Sequence, residues 1–121
     1  MKTIVFIIIL VHGLIHLMGF AKAFGMTEIS ELILPISRGW GVLWLLTSLT
    51  LILSGLFWWL NLGYWWVPAV IGIILSQILV FAFWQDALYG SIPNVIILIV
   101  IISGFVRHTP PRFPCWLRDL R

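Results

Sequence analysis

Charge is what this 121-residue sequence has least of: seven Lys and Arg and four Asp and Glu, 9% of the chain. A soluble domain carries about 25% charged residues, because its surface has to face water. Eleven charges could not coat even a small globule, so a soluble fold is excluded. Cysteine is nearly absent as well. Cys115 alone cannot form an internal disulfide, a CxxC redox pair or a thiolate cluster. Also missing are the GxxxxGK(S/T) phosphate loop, the GxGxxG dinucleotide turn, the GxSxG nucleophile elbow and the HExxH zinc helix. The formal charge of +3 does not point to nucleic acid. Four of the seven cations (Arg107, Arg112, Arg118 and Arg121) lie at the end of the chain, beside an apolar run. No nucleic-acid partner is expected.

Apolar residues are what the sequence has in excess: 62% of the chain, with a mean hydropathy of +1.14. They fall into four long runs, each near the ~20 residues that carry a helix across a bilayer. The runs predict helices at about 3–24, 38–60, 65–86 and 91–107, an all-α, polytopic membrane protein built as a four-helix antiparallel transmembrane bundle. The apolar blocks are solid, without the in–out alternation of a membrane barrel. Ser37 and Ser91 are placed to cap the second and fourth helices, with Pro68 and Pro93 in first turns where an amide is unpaired anyway. Thr27 opens TEISELIL, whose Ile29, Leu32 and Ile33 share a helical face, so a short interfacial helix or an irregular loop is expected there. Residues 1–23 also resemble a secretory signal ending in Ala21-Lys22-Ala23. The two histidines inside the run favour a retained first span.

Orientation follows from the cations. Lys2, Arg107, Arg112, Arg118 and Arg121 fall on one side, Lys22 and Arg38 on the other with Glu28, Glu31 and Asp86. Five against two places both termini in the cytoplasm. Trp58, Trp59, Trp65 and Trp66 then form an inner aromatic belt, and Trp40 and Trp84 lie at the outer face. Residues 108–121 read as a basic, Pro-rich cytoplasmic tail.

An ionisable group at a helix centre costs at least ~2.5 kcal/mol on insertion scales and asks for a partner. No acid lies inside a span. The mid-membrane titratable groups are His12 and His16, one turn apart on a single helix face. They could share a Zn or Cu ion, hydrogen-bond across the bundle as a neutral pair, or line a polar pocket for a small molecule or lipid head group. A haem would want ligands on facing helices, and helices 2 to 4 carry no histidine. No motif calls for a cofactor. Counted inward at ~1.5 Å per residue, His12, Thr47 and Gln77 all reach a depth of ~13 Å and are expected to form one polar layer. Lys22, Arg38, Gln85, Asp86 and Asn94 gather at the outer mouth, where Lys22 or Arg38 could pair with Asp86. Together these residues would make a polar funnel opening outward. Thr50, Ser54, Gly72 and Ser76 form small-xxx-small pairs suited to close helix packing.

The strings HGLIHLMGFAKAFG from His12, PISRGWGVLWLL from Pro35 and LSQILVFAFWQDALYGSIPNVIIL from Leu75 resemble the four-helix membrane segment of a bacterial family that in some members precedes a soluble domain of unknown function. The resemblance covers about residues 1–105. It implies a four-helix bundle in a bacterial inner membrane. The sequence departs from the longer pattern after Val106, running RHTPPRFPCWLRDLR, so whatever the soluble domain does is not carried over. A first-helix His-Gly-Leu followed by a lysine also resembles DoxX-like membrane proteins, some of which are associated with quinone-linked sulfur oxidation. That implies a redox-accessory role and transfers no catalytic residue.

Two function classes follow. The first is a non-enzymatic accessory or small-solute- or lipid-handling bundle, with membrane lipids and a membrane-protein partner or second copy as its company. The alternative is a membrane redox component that binds metal, haem or quinone through His12 and His16.

Overall fold

The computed structural model describes residues 2–30 and 32–108, with residues 105–108 described by their backbone alone. All regular structure among the described residues is helical: α1 (Lys2–Ala23), α2 (Arg38–Trp59), α3 (Trp66–Ala82), a short α4 (Trp84–Ala87), a 3-10 turn (Leu88–Gly90) and α5 (Ser91–His108). Of the expected basic tail, His108 is the last residue of α5, while residues 109–121 lie outside the described residues, as do Met1 and Glu31. Three apolar stretches are long enough to cross a membrane: Lys2–Ala23, Arg38–Trp59 and Trp84–Gly104. α3 is apolar but has 17 residues, about 25 Å against a hydrocarbon core of about 30 Å.

Successive long helices run antiparallel. Trp58, near the end of α2, donates its indole N–H to the carbonyl of Lys2 at the start of α1, at 2.9 Å. The Ser54 hydroxyl donates to the Trp65 carbonyl at 3.1 Å and ties α2 to the chain entering α3. α1 packs along the length of α2, whereas it meets α5 over a much shorter stretch. Small residues allow close approach where α2 meets α3: an added Cβ at Gly72 would stand 2.7 Å from Leu51 Cδ2.

The helix ends are chemically defined. α1 stops in a Schellman motif, with the Met26 amide on the Ala21 carbonyl, the Gly25 amide on the Lys22 carbonyl and Gly25 at φ +67°. α2 stops the same way, with Leu62 on Phe57, Asn61 on Trp58 and Asn61 at φ 60°. Glycine and asparagine are the residues that adopt this left-handed conformation most readily. At the start of α2, Ser37 Oγ accepts the Trp40 amide at 3.4 Å.

Two expectations need correcting, and a third is settled between its alternatives. The third helix does not run to residue 86. It ends at Ala82, and Phe83 leaves helical geometry at φ −119°, ψ 43°. The break turns the Phe83 ring inward beside Trp40 and Trp44, in a cluster with Leu79, so side-chain packing overrides helix propensity there. Ser91 does not act as a side-chain N-cap. It is already helical, continuing from the 3-10 turn, and its hydroxyl accepts from Gln77. The segment from Thr27 onward takes the irregular-loop alternative among its described residues, with no interfacial helix. Its backbone groups bond elsewhere: Lys22 Nζ donates to the carbonyls of Leu32 and Leu34, the latter at 2.7 Å, and the Leu34 amide donates to Asp86 Oδ2 at 2.8 Å. Side chains from two helices thus supply the partners that a helix would have supplied internally.

Two apolar clusters flank the middle of the bundle. Val5, Ile9, Leu51, Ala69, Ile97 and Ile101 pack at the end carrying the chain's N-terminus. Trp44, Leu79 and Phe83 pack at the opposite end, covered by Leu34 and Ile36 of the connecting segment.

Candidate functional site

The buried stripe of α1 is Val5, Ile9, His12, Gly13, His16 and Gly19, spaced at three and four residues as one helix face requires. It delivers both histidines to the interior, each 3% exposed. Their rings meet edge-on at 4.8 Å. Trp44 of α2 lies 5.2 Å from the His16 ring, and its indole rests on the backbone of α1 at Gly19, where an added Cβ would overlap it.

Facing helices satisfy the histidines through neutral side chains. His12 Nε2 is 2.8 Å from Asn94 Oδ1, Asn94 Nδ2 donates to Gln77 Oε1 at 3.0 Å, and Gln77 Nε2 donates to Ser91 Oγ at 3.3 Å. Ser76 Oγ stands between the rings, 3.2 Å from His12 Nε2 and 2.9 Å from His16 Nε2. One arrangement of protons serves every member of this network. Asn94 turns an oxygen toward His12, so His12 Nε2 carries the hydrogen and donates it. Ser76 Oγ then faces an N–H on one side and is left to donate its own hydrogen to His16 Nε2. The remaining His16 proton is on Nδ1, which makes that atom a donor.

That donor finds no hydrogen-bond partner among the described residues, and neither does the indole N–H of Trp44, which is 3% exposed. Each unsatisfied buried donor costs about 1–3 kcal/mol. Both residues line one cavity of about 310 Å³, between α1 and the junction of α4 with α5. Its walls are otherwise mostly apolar: Ile15, Met18, Leu32, Val80, Ala87 and Pro93, with His12 beside His16 and with Asp86 and Tyr89 on the opposite wall. Asp86 Oδ1 also lacks a partner among the described residues.

The predicted residues thus separate into groups. His12, His16 and Asp86 line the cavity, while Gln77 and Asn94 belong to the hydrogen-bonded network behind it. Asn94 is 3% exposed and sits inside the bundle, not at an outer mouth. Thr47 is fully buried but returns its hydroxyl to the Leu43 carbonyl of its own helix at 2.8 Å, so it does not complete a layer with His12 and Gln77. A threonine in a helix can always take this local bond. Lys22 and Asp86 clamp the backbone of the 32–34 segment between them instead of pairing directly, and Arg38 and Gln85 are exposed. A polar funnel is therefore replaced by an apolar cavity with a few polar atoms.

Ser76 and Trp44 are the residues whose part was not read from the sequence. Ser76 lies one turn from Gly72 and looked like packing. It is fully buried and does not line the cavity, so its hydroxyl bridges the imidazoles and is out of reach of a substrate. Among the described residues, His, Cys, Asp and Glu form no group of three or more that could hold a metal. Both histidine Nε2 atoms are already engaged in hydrogen bonds. Comparison with family models, curated proteins and solved structures gives no match, and the site is read from its geometry.

Proposed function

We propose that this is an integral membrane protein, a four-helix bundle of a bacterial inner membrane with both termini cytoplasmic, which holds a small molecule or lipid group in its cavity without catalysing a reaction. Membrane insertion is supported by the exposed apolar faces. Ile4, Ile7, Val11, Leu14 and Ile15 of α1 all lie exposed, an apolar surface that lipid would cover and water would not tolerate. Lys2, Trp58, Trp59 and Trp65 meet at one end, as an interfacial belt would. The five-to-two cation bias supports the orientation.

The observation that carries the binding role is a cavity of ligand size, about 310 Å³, lined by His12, His16 and Trp44 and otherwise mostly by apolar side chains. Small-molecule sites are mostly apolar with a few placed polar groups, as here. The experiment compares wild type with Ala87→Trp, which fills the cavity from its wall. Mass spectrometry of protein released from dodecyl maltoside is expected to find one small molecule bound to wild type and none to the variant. Equal occupancy of both, or an empty wild type, would refute the assignment. The redox alternative, with metal, haem or quinone on His12 and His16, would have to displace the hydrogen bonds that hold both Nε2 atoms. An optical spectrum with metal analysis tests it.

A further inference from the structure

We propose that the cavity takes a hydrocarbon chain and no polar group, and that its occupant is one acyl chain of a bilayer lipid entering from the side of the bundle. This rests on the cavity being a ligand site in a membrane protein, as proposed above, and it adds the chemistry of the ligand.

The polar atoms of the lining are out of a guest's reach. His16 Nδ1, Trp44 Nε1 and Asp86 Oδ1 each have less than 1 Å² of accessible surface. Both histidine Nε2 atoms are held by Asn94 and Ser76, and Asp86 Oδ2 by the Leu34 amide. His12, His16 and Trp44 as whole residues are each 3% exposed. The surface that a guest can touch therefore belongs mostly to Ile15, Met18, Leu32, Ala87 and Pro93, with Tyr89 at the edge. A polar group carried in would give up its hydrogen bonds and gain none. An apolar chain restores the dispersion contacts that an empty cavity forfeits.

Size and position select the kind of chain. An apolar cavity of about 150 Å³ stays dry and holds one benzene, so one twice that size has room for about ten to twelve carbons. At about 310 Å³ this cavity suits the greater part of one acyl chain and excludes a second. Its edge is continuous with the exposed apolar surface. Ile15 lies beside Val11 and Leu14 on the outer face of α1, and Ile92 and Val95, on either side of Pro93 and Asn94 in sequence, are exposed on α5. α1 and α5 meet over a short stretch, joined by the His12–Asn94 bond, and the cavity lies beside that bond. A chain can pass from the surface that lipid covers into the cavity without crossing a charged side chain.

The test uses the whole protein reconstituted in dioleoylphosphatidylcholine vesicles. These carry a small fraction of the same lipid with a diazirine on one acyl chain. After illumination, the labelled residues are mapped by mass spectrometry in wild type and in Ala87→Trp, which fills the cavity. The expected result is label on Met18 and Pro93 in wild type and its loss in the variant. Label on the exposed residues Ile7 and Leu14 is expected in both, which shows that the variant is folded and inserted. Two further probes separate the ways of failing. One is adamantyl diazirine, a compact hydrocarbon, and the other is the lipid with its diazirine on the head group. Label on Met18 and Pro93 from adamantyl diazirine alone, in wild type and not in the variant, would overturn the acyl chain and leave a ligand site. Equivalent label there from the head-group probe would overturn the exclusion of polar groups. If no probe distinguishes wild type from Ala87→Trp at these residues, the ligand site itself is overturned.

Discussion

Replacing Asn94 with Leu keeps the side chain's approximate volume and removes its amide. Two contacts disappear, the one to His12 at 2.8 Å and the one to Gln77 at 3.0 Å. Interhelical polar contacts in membranes average about 0.6 kcal/mol, and a typical net hydrogen bond is about 0.5–1.5 kcal/mol. Two of them give an expected loss of about 1–3 kcal/mol. His12 retains a contact to Ser76 Oγ at 3.2 Å, which holds the loss toward the lower half of that range. The sharper measurement is a double-mutant cycle of His12→Leu with Asn94→Leu, followed by reversible unfolding in mixed micelles. Coupling of about 0.6 kcal/mol or more is expected. A parallel cycle of His12→Leu with Thr47→Val is expected to show none, because Thr47 bonds only within α2. Equal coupling in the two cycles, or none in the first, would refute the placement of Asn94 in the network.

Gly25→Ala is expected to lower stability by about 1 kcal/mol, because position 25 holds φ +67°, whereas Gly63→Ala, which meets nothing within 4 Å, should be close to neutral in the same unfolding assay. Asp86→Ala removes the acceptor of the Leu34 amide, and hydrogen exchange at Leu34 should quicken while α2 keeps its protection; unchanged exchange would show that the clamp does not hold the segment. Glu28→Cys, on the exposed connection after α1, should react with an impermeant maleimide from outside the cytoplasm, and labelling only from the cytoplasmic side would reverse the orientation.

The long helices were legible because four apolar runs admit few other arrangements, and the cap at Ser37 was legible because its chemistry is local. The polar interior was only half legible, and the reason lies in α3. Depth was counted as if that helix reached residue 86. It ends at Ala82, so Gln77 lies about four residues, or roughly 6 Å, nearer the end of its helix than the count assumed. Gln77 bonds Ser91 and Asn94, early in α5, while Thr47 bonds within its own helix. No local signal announces the break at Phe83, because its cause is the packing of one ring against Trp40 and Trp44 from another helix. Likewise Ser76 reads the same in sequence whether it spaces two helices or bridges two imidazoles. Both Schellman ends had visible markers in Gly25 and Asn61, each just past an apolar run.

The network also bears on how α5 finds its seat. From Val95 to Ile102 that helix is an unbroken run of Val, Ile and Leu, and in the membrane setting proposed above lipid is as apolar as any of these side chains, so packing alone would discriminate weakly between neighbouring registers. Asn94 discriminates strongly. Sliding or rotating α5 by one residue carries it about 100° around the helix, away from both His12 and Gln77, and strands polar atoms on three helices at once. α1 and α2 share the more extensive surface, and α5 brings the amide that His12 bonds. One amide side chain then acts as the key that sets the last helix in place.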